Sequence, residues 1–282
     1  MSRRRLVLAA VAALGLTPCL ADPASAARVY AGQQLSERLQ LVLDVSDDGA
    51  RLEGMSFFLD MTCRRSDPTV DMGRTTTVAA LPAQPSAGSH LLAGGAIAAG
   101  RLTATLLTAR ARGSSLMDVV RGELTGAVTP SAARGTLVAR RTVLELGTGR
   151  VLRSCTRAIP WRTIRGRGTV FGGATSRGAP VVLRVTRDHR RVTQALISWA
   201  APCRRLALYR EPTDEWLLPF RLSATGGFAQ SYRYDAGNRG QVVGRFAGQV
   251  RETTASGSFR TRFQSARDRC ALPPLTWTAA TG

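Results

Sequence analysis

Residues 57–63, FFLDMTC, lie over residues 197–203, ISWAAPC, at an offset of 140 positions. Alternate residues pair apolar with apolar: Phe57 with Ile197, Leu59 with Trp199, Met61 with Ala201 and Cys63 with Cys203. Each cysteine is followed by two arginines, Arg64–Arg65 and Arg204–Arg205. The same offset brings Gly32 onto Gly172, Ser36 onto Ser176, Leu41 onto Val181, Leu43 onto Leu183, Val45 onto Val185 and Asp48 onto Asp188. Downstream, GELTG (122–126) matches GRFAG (244–248), and RGTLVAR (134–140) matches SGSFRTR (256–262). Both series close on a cysteine and a nearby tryptophan, Cys155 with Trp161 and Cys270 with Trp277. A fixed order of matches of this kind is the signature of duplication. The fold must therefore be one that the chain can build twice.

The local pattern says which kind. Bulky side chains recur with period two in LQLVLDV (39–45), RLTATLL (101–107), VVLRV (181–185), FAQSYRY (228–234) and SFRTRF (258–263). Period two is the strand signature, and DDG (47–49) and DAGNRG (235–240) supply turns between such runs. LMDVVRGEL (116–124) has room for two helical turns, but its counterpart QVVGRF alternates, so a strand is expected there as well. Short strands without βαβ crossovers pair antiparallel. The expected fold is all-β: two tandem related antiparallel β-sandwich or barrel-like domains, with five to eight strands per copy. The first domain is expected at 27–161, with a long middle loop at about 66–99 holding at most one short strand. The second, more basic domain is expected at 162–282.

The N-terminus has Arg3, Arg4 and Arg5, then an apolar run from Leu6 to about Leu16, then the small-residue pattern ASA at 24–26. This is the form of a cleaved signal peptide over residues 1–26, and the run is too short to span a bilayer. SRRRLV at 2–7 resembles a twin-arginine export signal, so the general and the twin-arginine routes both stay open. Pro18 before Cys19 departs from a lipoprotein signal. The expected location is secreted or cell-envelope associated.

Export leaves four cysteines, Cys63, Cys155, Cys203 and Cys270, none in a C-x-x-C pair. An even number in an oxidising compartment reads as disulfides. The repeat selects Cys63–Cys155 and Cys203–Cys270, since each copy then keeps its own bridge. The bonded residues lie 92 and 67 positions apart. Loops of that size are worth roughly 4 kcal/mol each on a chain-entropy model. A reactive thiolate beside Arg64–Arg65 or Arg204–Arg205 would need a base, and the only histidines, His90 and His189, do not recur at matching positions.

Other chemistry is sparse. Asp44, Asp47 and Asp48 supply oxygens but not calcium-loop spacing, and Arg184 and Arg187 replace the first two in the second copy. GGATSRG (172–178) and LAGGAIAAG (92–100) lack the lysine of a phosphate loop and read as turns or flexible edges. Asp214 and Glu215 are adjacent acids without the geometry of a glycosidase pair. No catalytic residue, cofactor or metal site is expected.

Charge is the remaining signal. The chain has 39 basic residues, all arginine, and a formal net charge of +20. Complete use of arginine over lysine reflects a GC-rich genome rather than a folding need. Residues 27–160 hold 16 Arg and 11 acids, a net of +5, whereas 161–282 hold 20 Arg and 7 acids, a net of +13. The densest runs are WRTIRGRG (161–168), RVTRDHRR (184–191) and CRR (203–205), with Tyr232, Arg233 and Tyr234 adding aromatics. Such mixtures bind polyanions by charge and stacking.

With GGATSRGAPVVLRVTRD, GRFAG, SGSFR and CALPPLTW, the chain resembles a group of uncharacterised exported all-β repeat proteins of actinobacteria. The resemblance covers the second copy better than the first. It implies secretion and an all-β fold, and it brings no activity or site residues. The expected function is a secreted or cell-envelope non-catalytic module, structural or binding an anionic glycopolymer or lipid surface, with no specific nucleic-acid target. The alternative is a cell-wall polysaccharide hydrolase or lyase.

Overall fold

The computed structural model describes residues 28–34, 39–61, 63–65, 75–80, 89–112, 115–130, 132–163, 168–199, 213–217, 219–235, 240–264 and 269–281. Residues 1–26, where a signal peptide is expected, lie outside them, as do Cys203 and Arg204–Arg205. Every regular element among the described residues is a strand. None is a helix long and apolar enough to cross a membrane.

The first half contributes β1 (Arg28–Gln34), β2 (Leu39–Val45), β3 (Leu52–Met61), β4 (Cys63–Arg65), β5 (Thr75–Ala80), β6 (Ser89–Ala98), β7 (Arg101–Arg112), β8 (Leu116–Thr129), β9 (Ala132–Glu145) and β10 (Val151–Arg162). The second contributes β11 (Thr169–Thr175), β12 (Pro180–Val185), β13 (Arg191–Trp199), β14 (Thr213–Leu217), β15 (Phe220–Arg221), β16 (Gly227–Asp235), β17 (Gln241–Val250), β18 (Thr254–Gln264) and β19 (Arg269–Thr281). The ten and nine strands exceed the five to eight expected per copy. Two of the extra ones, β5 and β6, lie where a long loop was expected at about 66–99. Alternation there is diluted by alanine and glycine, which hides a strand from a period-two reading.

In the first half β1–β2–β3–β5 form one sheet and β4–β10–β9–β8–β7–β6 another. Their inner faces share one core, including Leu41, Leu43, Phe57 and Leu59 from one sheet and Leu106, Leu124, Leu137 and Ile159 from the other. This is a sandwich. In the second half β19 runs four residues past Trp277, and those residues pair with β11. One continuous sheet results, ordered β14–β13–β12–β11–β19–β18–β17–β16. β15 pairs with β13 and turns at Ser223–Gly227 directly into β16, so the sheet nearly closes on itself. Its interior is filled by Phe171, Leu183, Ile197, Phe246, Phe259 and Trp277.

The halves repeat one another in detail. The β2–β3 turn is held by Ser46 Oγ donating to Asp48 Oδ1 at 2.6 Å, Ala50 N to Asp48 Oδ1 at 2.9 Å and Arg51 N to Ser46 Oγ at 2.9 Å. The β12–β13 turn has Thr186 Oγ1 to Asp188 Oδ1 at 2.6 Å, Arg190 N to Asp188 Oδ1 at 3.1 Å and Arg191 N to Thr186 Oγ1 at 3.1 Å. Both turns need one left-handed residue: Gly49 at φ 72° in the first, His189 at φ 52° in the second. Glycine adopts that conformation freely, whereas histidine does so at a cost. The strands before the turns need a correction to the sequence match. Val42 is opposite Ala31 and Val182 is opposite Gly172, so Gly172 takes the place of Ala31 rather than Gly32. The first β-hairpin loop is one residue longer than its counterpart.

The closing Cys–Trp motif has a steric role. Trp161 sits opposite Gly135, which sits opposite Gly126. A Cβ at Gly126 would lie 2.9 Å from Trp161 Cζ2. In the second half Trp277, Gly257 and Gly248 form the same row, with Trp277 Cζ2 2.8 Å and 2.6 Å from the two Cβ positions. The indole lies flat over two glycines on adjacent strands. Both indole Nε1 atoms are buried without a hydrogen-bond partner among the described residues, so the ring is kept for its shape.

Outer faces of β1–β3 and β11–β13 meet between the halves. Ala31, Val42, Val182 and Leu196 form a small shared core there, flanked by Val29 and Val170. Ser56 Oγ donates to Gly178 O at 3.0 Å, and Ser198 Oγ to Gln40 Oε1 at 2.9 Å. The molecule is therefore four layers thick: β7–β10, β1–β3, β11–β13 and β16–β19.

Candidate functional site: two basic sheet faces

The outermost layers are where arginine gathers. On β16–β18 inward positions are Tyr232, Tyr234, Phe246, Phe259 and Phe263, so the pleat sends the intervening residues outward. Arg245 on β17 is directly opposite Arg260 on β18. In the next row Arg233 and Arg262 flank Val243 from β16 and β18. One row further, Arg269 of β19 stands opposite Gln264. All five arginines are exposed. The one acid described in these rows is Asp235, which accepts a 3.4 Å hydrogen bond from Gln241 Nε2. Strands ~4.8 Å apart and alternate residues ~6.8 Å apart place these cations within a patch about 15 Å across.

The outer face of β7–β10 is basic in a different pattern. Arg101, Arg134 and Arg162 share one row across β7, β9 and β10. Arg121 and Arg140 oppose one another three rows away. All five are exposed. Glu123 pairs with Arg121 at 3.0 Å, where the second copy has Arg245 in the matching position. A carboxylate in one copy thus corresponds to a guanidinium in the other.

These faces differ from the sequence reading. The described arginines of 161–205 go to separate places: Arg162 joins the outer face of β7–β10, Arg177 sits in the turn before β12, Arg184 is half-buried within β12, and Arg187, Arg190 and Arg191 sit in or beside the turn after it. Arg165, Arg167, Arg204 and Arg205 lie outside the described residues. The dense runs of the chain therefore do not form one common surface among the described residues. The Tyr232–Arg233–Tyr234 run also separates. Tyr232 and Tyr234 stack on one another at 6.3 Å on the inner side, with Arg233 on the outer. Stacking and charge therefore do not act from one surface.

The other expected features fall apart by geometry. Asp48 caps the turn, and the hydroxyl of Ser46, then the amide of Ala50, hold its carboxyl below the ordinary range. Asp188 is lowered in the same way by Thr186 and the amide of Arg190. Asp44 is half-buried on the outer face of β2 and its pKa is raised, by burial first and by nearby Glu53 second. Its Oδ1 has no hydrogen-bond partner among the described residues. Among those residues no three His, Cys, Asp or Glu side chains cluster as a metal site. Asp214 and Glu215 are successive positions of β14, hence on opposite faces of the sheet. His90 lies in β6 opposite Thr108 rather than in a loop. Gly172 and Gly173 are strand residues of β11, not a turn. A Cβ at Gly172 would come 2.6 Å from Val29 Cγ1 and 3.1 Å from Val42 Cγ1, so this glycine lets the halves approach. Gly94 and Gly95 are likewise within β6, with the turn only at Ala99–Gly100.

Asp44 yields a pH prediction. A carboxyl with a raised folded pKa contributes most below its unfolded pKa, and the contribution is lost as pH rises through the folded value. Asp44→Asn removes that loss. The variant is expected to melt higher than wild type at pH 7, with the gap closing as pH falls through about 4. Melting temperatures compared across pH check this; a gap that does not change with pH would reject it.

Cys155 and Cys270 are both disulfide-bonded. Cys155 faces Cys63 across the β4–β10 ladder, with Arg64 opposite Ser154 and Arg65 opposite Arg153. Both late cysteines are 1% exposed and line the two cores, which is where a staple works and a nucleophile does not. No protein-family model, curated protein or solved structure matches the chain. All-β architecture with basic outer sheet faces is therefore the class that its own geometry defines.

Proposed function

We propose that the protein is an exported, non-catalytic module of two related β domains that binds an anionic polymer of the cell envelope through its outer sheet faces. The observation that carries this reading is the Arg245–Arg260 pair. Like charges directly opposite on a sheet are unfavourable, and neither this row nor the next, with Arg233 and Arg262, holds an acid among the described residues. An anion lying across the strands relieves that repulsion, and each guanidinium offers a planar fork to a carboxylate or phosphate. The two domains fit residues 27–161 and 162–282, and the twice-built Asp turn and Trp-over-glycine row support their common origin.

The polymer should dissociate with salt. Retention of the mature protein on an immobilised anionic glycan is expected to fall steeply between about 50 mM and about 500 mM salt. Arg245→Gln with Arg260→Gln should flatten that dependence by about 1.5 log units per log of salt. Retention indifferent to salt would refute an electrostatic site.

The proposed covalent frame is Cys63–Cys155 and Cys203–Cys270. It follows from the β4–β10 register for the first bridge and from the repeat for the second. Non-reducing peptide mapping should return those two pairs; a Cys63–Cys203 peptide would refute the frame.

A further inference from the structure

The two basic faces point in opposite directions. The halves meet through the outer faces of β1–β3 and β11–β13, around Val42 and Val182. Each basic sheet packs its inner face on its own core, so its outer face looks away from the junction. Three layer spacings of roughly 10 Å separate the two arginine surfaces by about 30 Å. A single extended strand of polymer reaches one face or the other, and would have to wrap the molecule to touch both. We infer that the protein is a bridge: each face takes a different polyanion strand, and one molecule cross-links two. This rests on the proposed polymer binding and adds its geometry.

A polymer fits these faces better than a membrane. Membrane-surface binding combines basic side chains with aromatic or apolar groups that insert. The outward rows carry Thr103, Thr125, Thr136, Ser231 and Ser258 between the arginines; their aliphatic members Val138 and Val243 are half-buried, and the exposed Tyr234 is on an inward position of β16 rather than in these rows. The junction between the halves is also fixed by apolar packing and two side-chain hydrogen bonds, so the faces are held apart.

Bridging has a stoichiometric signature that simple binding lacks. Long-chain inorganic polyphosphate is titrated with the mature full-length protein while light scattering is recorded. Scattering is expected to rise to a maximum and then fall at protein excess, when every strand is saturated and no second strand is left to join. Arg121→Gln/Arg134→Gln/Arg140→Gln disables one face, and Arg245→Gln/Arg260→Gln/Arg262→Gln the other. Each triple variant should still bind polyphosphate, with at least a tenfold loss of scattering, and only the combined variant should lose binding. Wild type that binds without clustering, or single-face variants that cluster as well as wild type, would overturn bridging while leaving polymer binding intact. Clustering of vesicles rich in phosphatidylglycerol without clustering of polyphosphate would overturn the polymer in favour of a membrane partner. Failure of the wild type to bind any polyanion would instead overturn the underlying function.

Discussion

Gly135→Val is expected to stop the first half from folding. A Cβ at residue 135 would overlap the Thr125 carbonyl oxygen and come 2.5 Å from Gly126 Cα. Both obstacles are backbone, so no rotamer change relieves them. The strands β8 and β9 would have to separate where Trp161 covers them, exposing the indole and the adjoining core. A cost above about 4 kcal/mol follows, comparable to the whole stability of a marginal domain. Gly257→Val should do the same to the second half, since its Cβ would lie 2.5 Å from Gly248 Cα. Gly147→Ala is the control. It has φ 94° but nothing within 4 Å, so it tests backbone conformation without a clash. It should cost only about 1–2 kcal/mol. Urea unfolding and limited proteolysis of the three variants separate the cases. Gly135→Val unfolding within about 1 kcal/mol of wild type would show that the close strand approach is dispensable.

Asp118→Ala should destabilise the first half by about 3–5 kcal/mol. Arg141 is 5% exposed and lies beside Cys155 in the ladder. Its Nε and Nη2 donate to the two Asp118 oxygens at 2.8 and 2.7 Å. Removing the carboxylate strands a guanidinium that water cannot reach. The second copy supplies the remedy. In matching positions it has Gly240 and Phe263, and Phe263 is opposite Cys270 as Arg141 is opposite Cys155. Asp118→Gly with Arg141→Phe should therefore recover to within about 1.5 kcal/mol of wild type, because an apolar pair of suitable volume often replaces a buried ion pair without loss. Chemical denaturation of the single and double variants tests it. A double variant as unstable as Asp118→Ala would mean that the two copies no longer share a core shape at this point.

Much of the fold was legible because strand alternation is a local property. LQLVLDV became β2 and VVLRV fell within β12 because bulky side chains at alternate positions can face only one core. DDG and RDHRR became equivalent turns because an aspartate two residues after a hydroxyl caps its own amides. Gly126, Gly135, Trp161 and their repeats were visible as matches but not as a single device, since the row joins three strands. Of β5 and β6, no more than one short strand was expected, because alanine and glycine carry little alternation. The basic site was misplaced for a related reason. The sequence shows how many arginines are near one another in the chain, and the runs at 161–168 and 184–191 dominate that measure. Arg233, Arg245, Arg260 and Arg269 are spread over 37 positions and look unremarkable in one dimension.

The sequence alone determined that the chain is β-structured, doubled and cationic, because side-chain period, repetition and charge need no knowledge of neighbours. Only the tertiary structure decided that the first half is a sandwich and the second a nearly closed sheet. That choice turns on which strand occupies the edge of β10 or β19, and on four residues after Trp277 that continue as strand. It also decided where the charge gathers. Period two assigns each arginine to a face of its own strand, but the hydrogen-bond register between strands sets which arginines share that face, and that register is a non-local property.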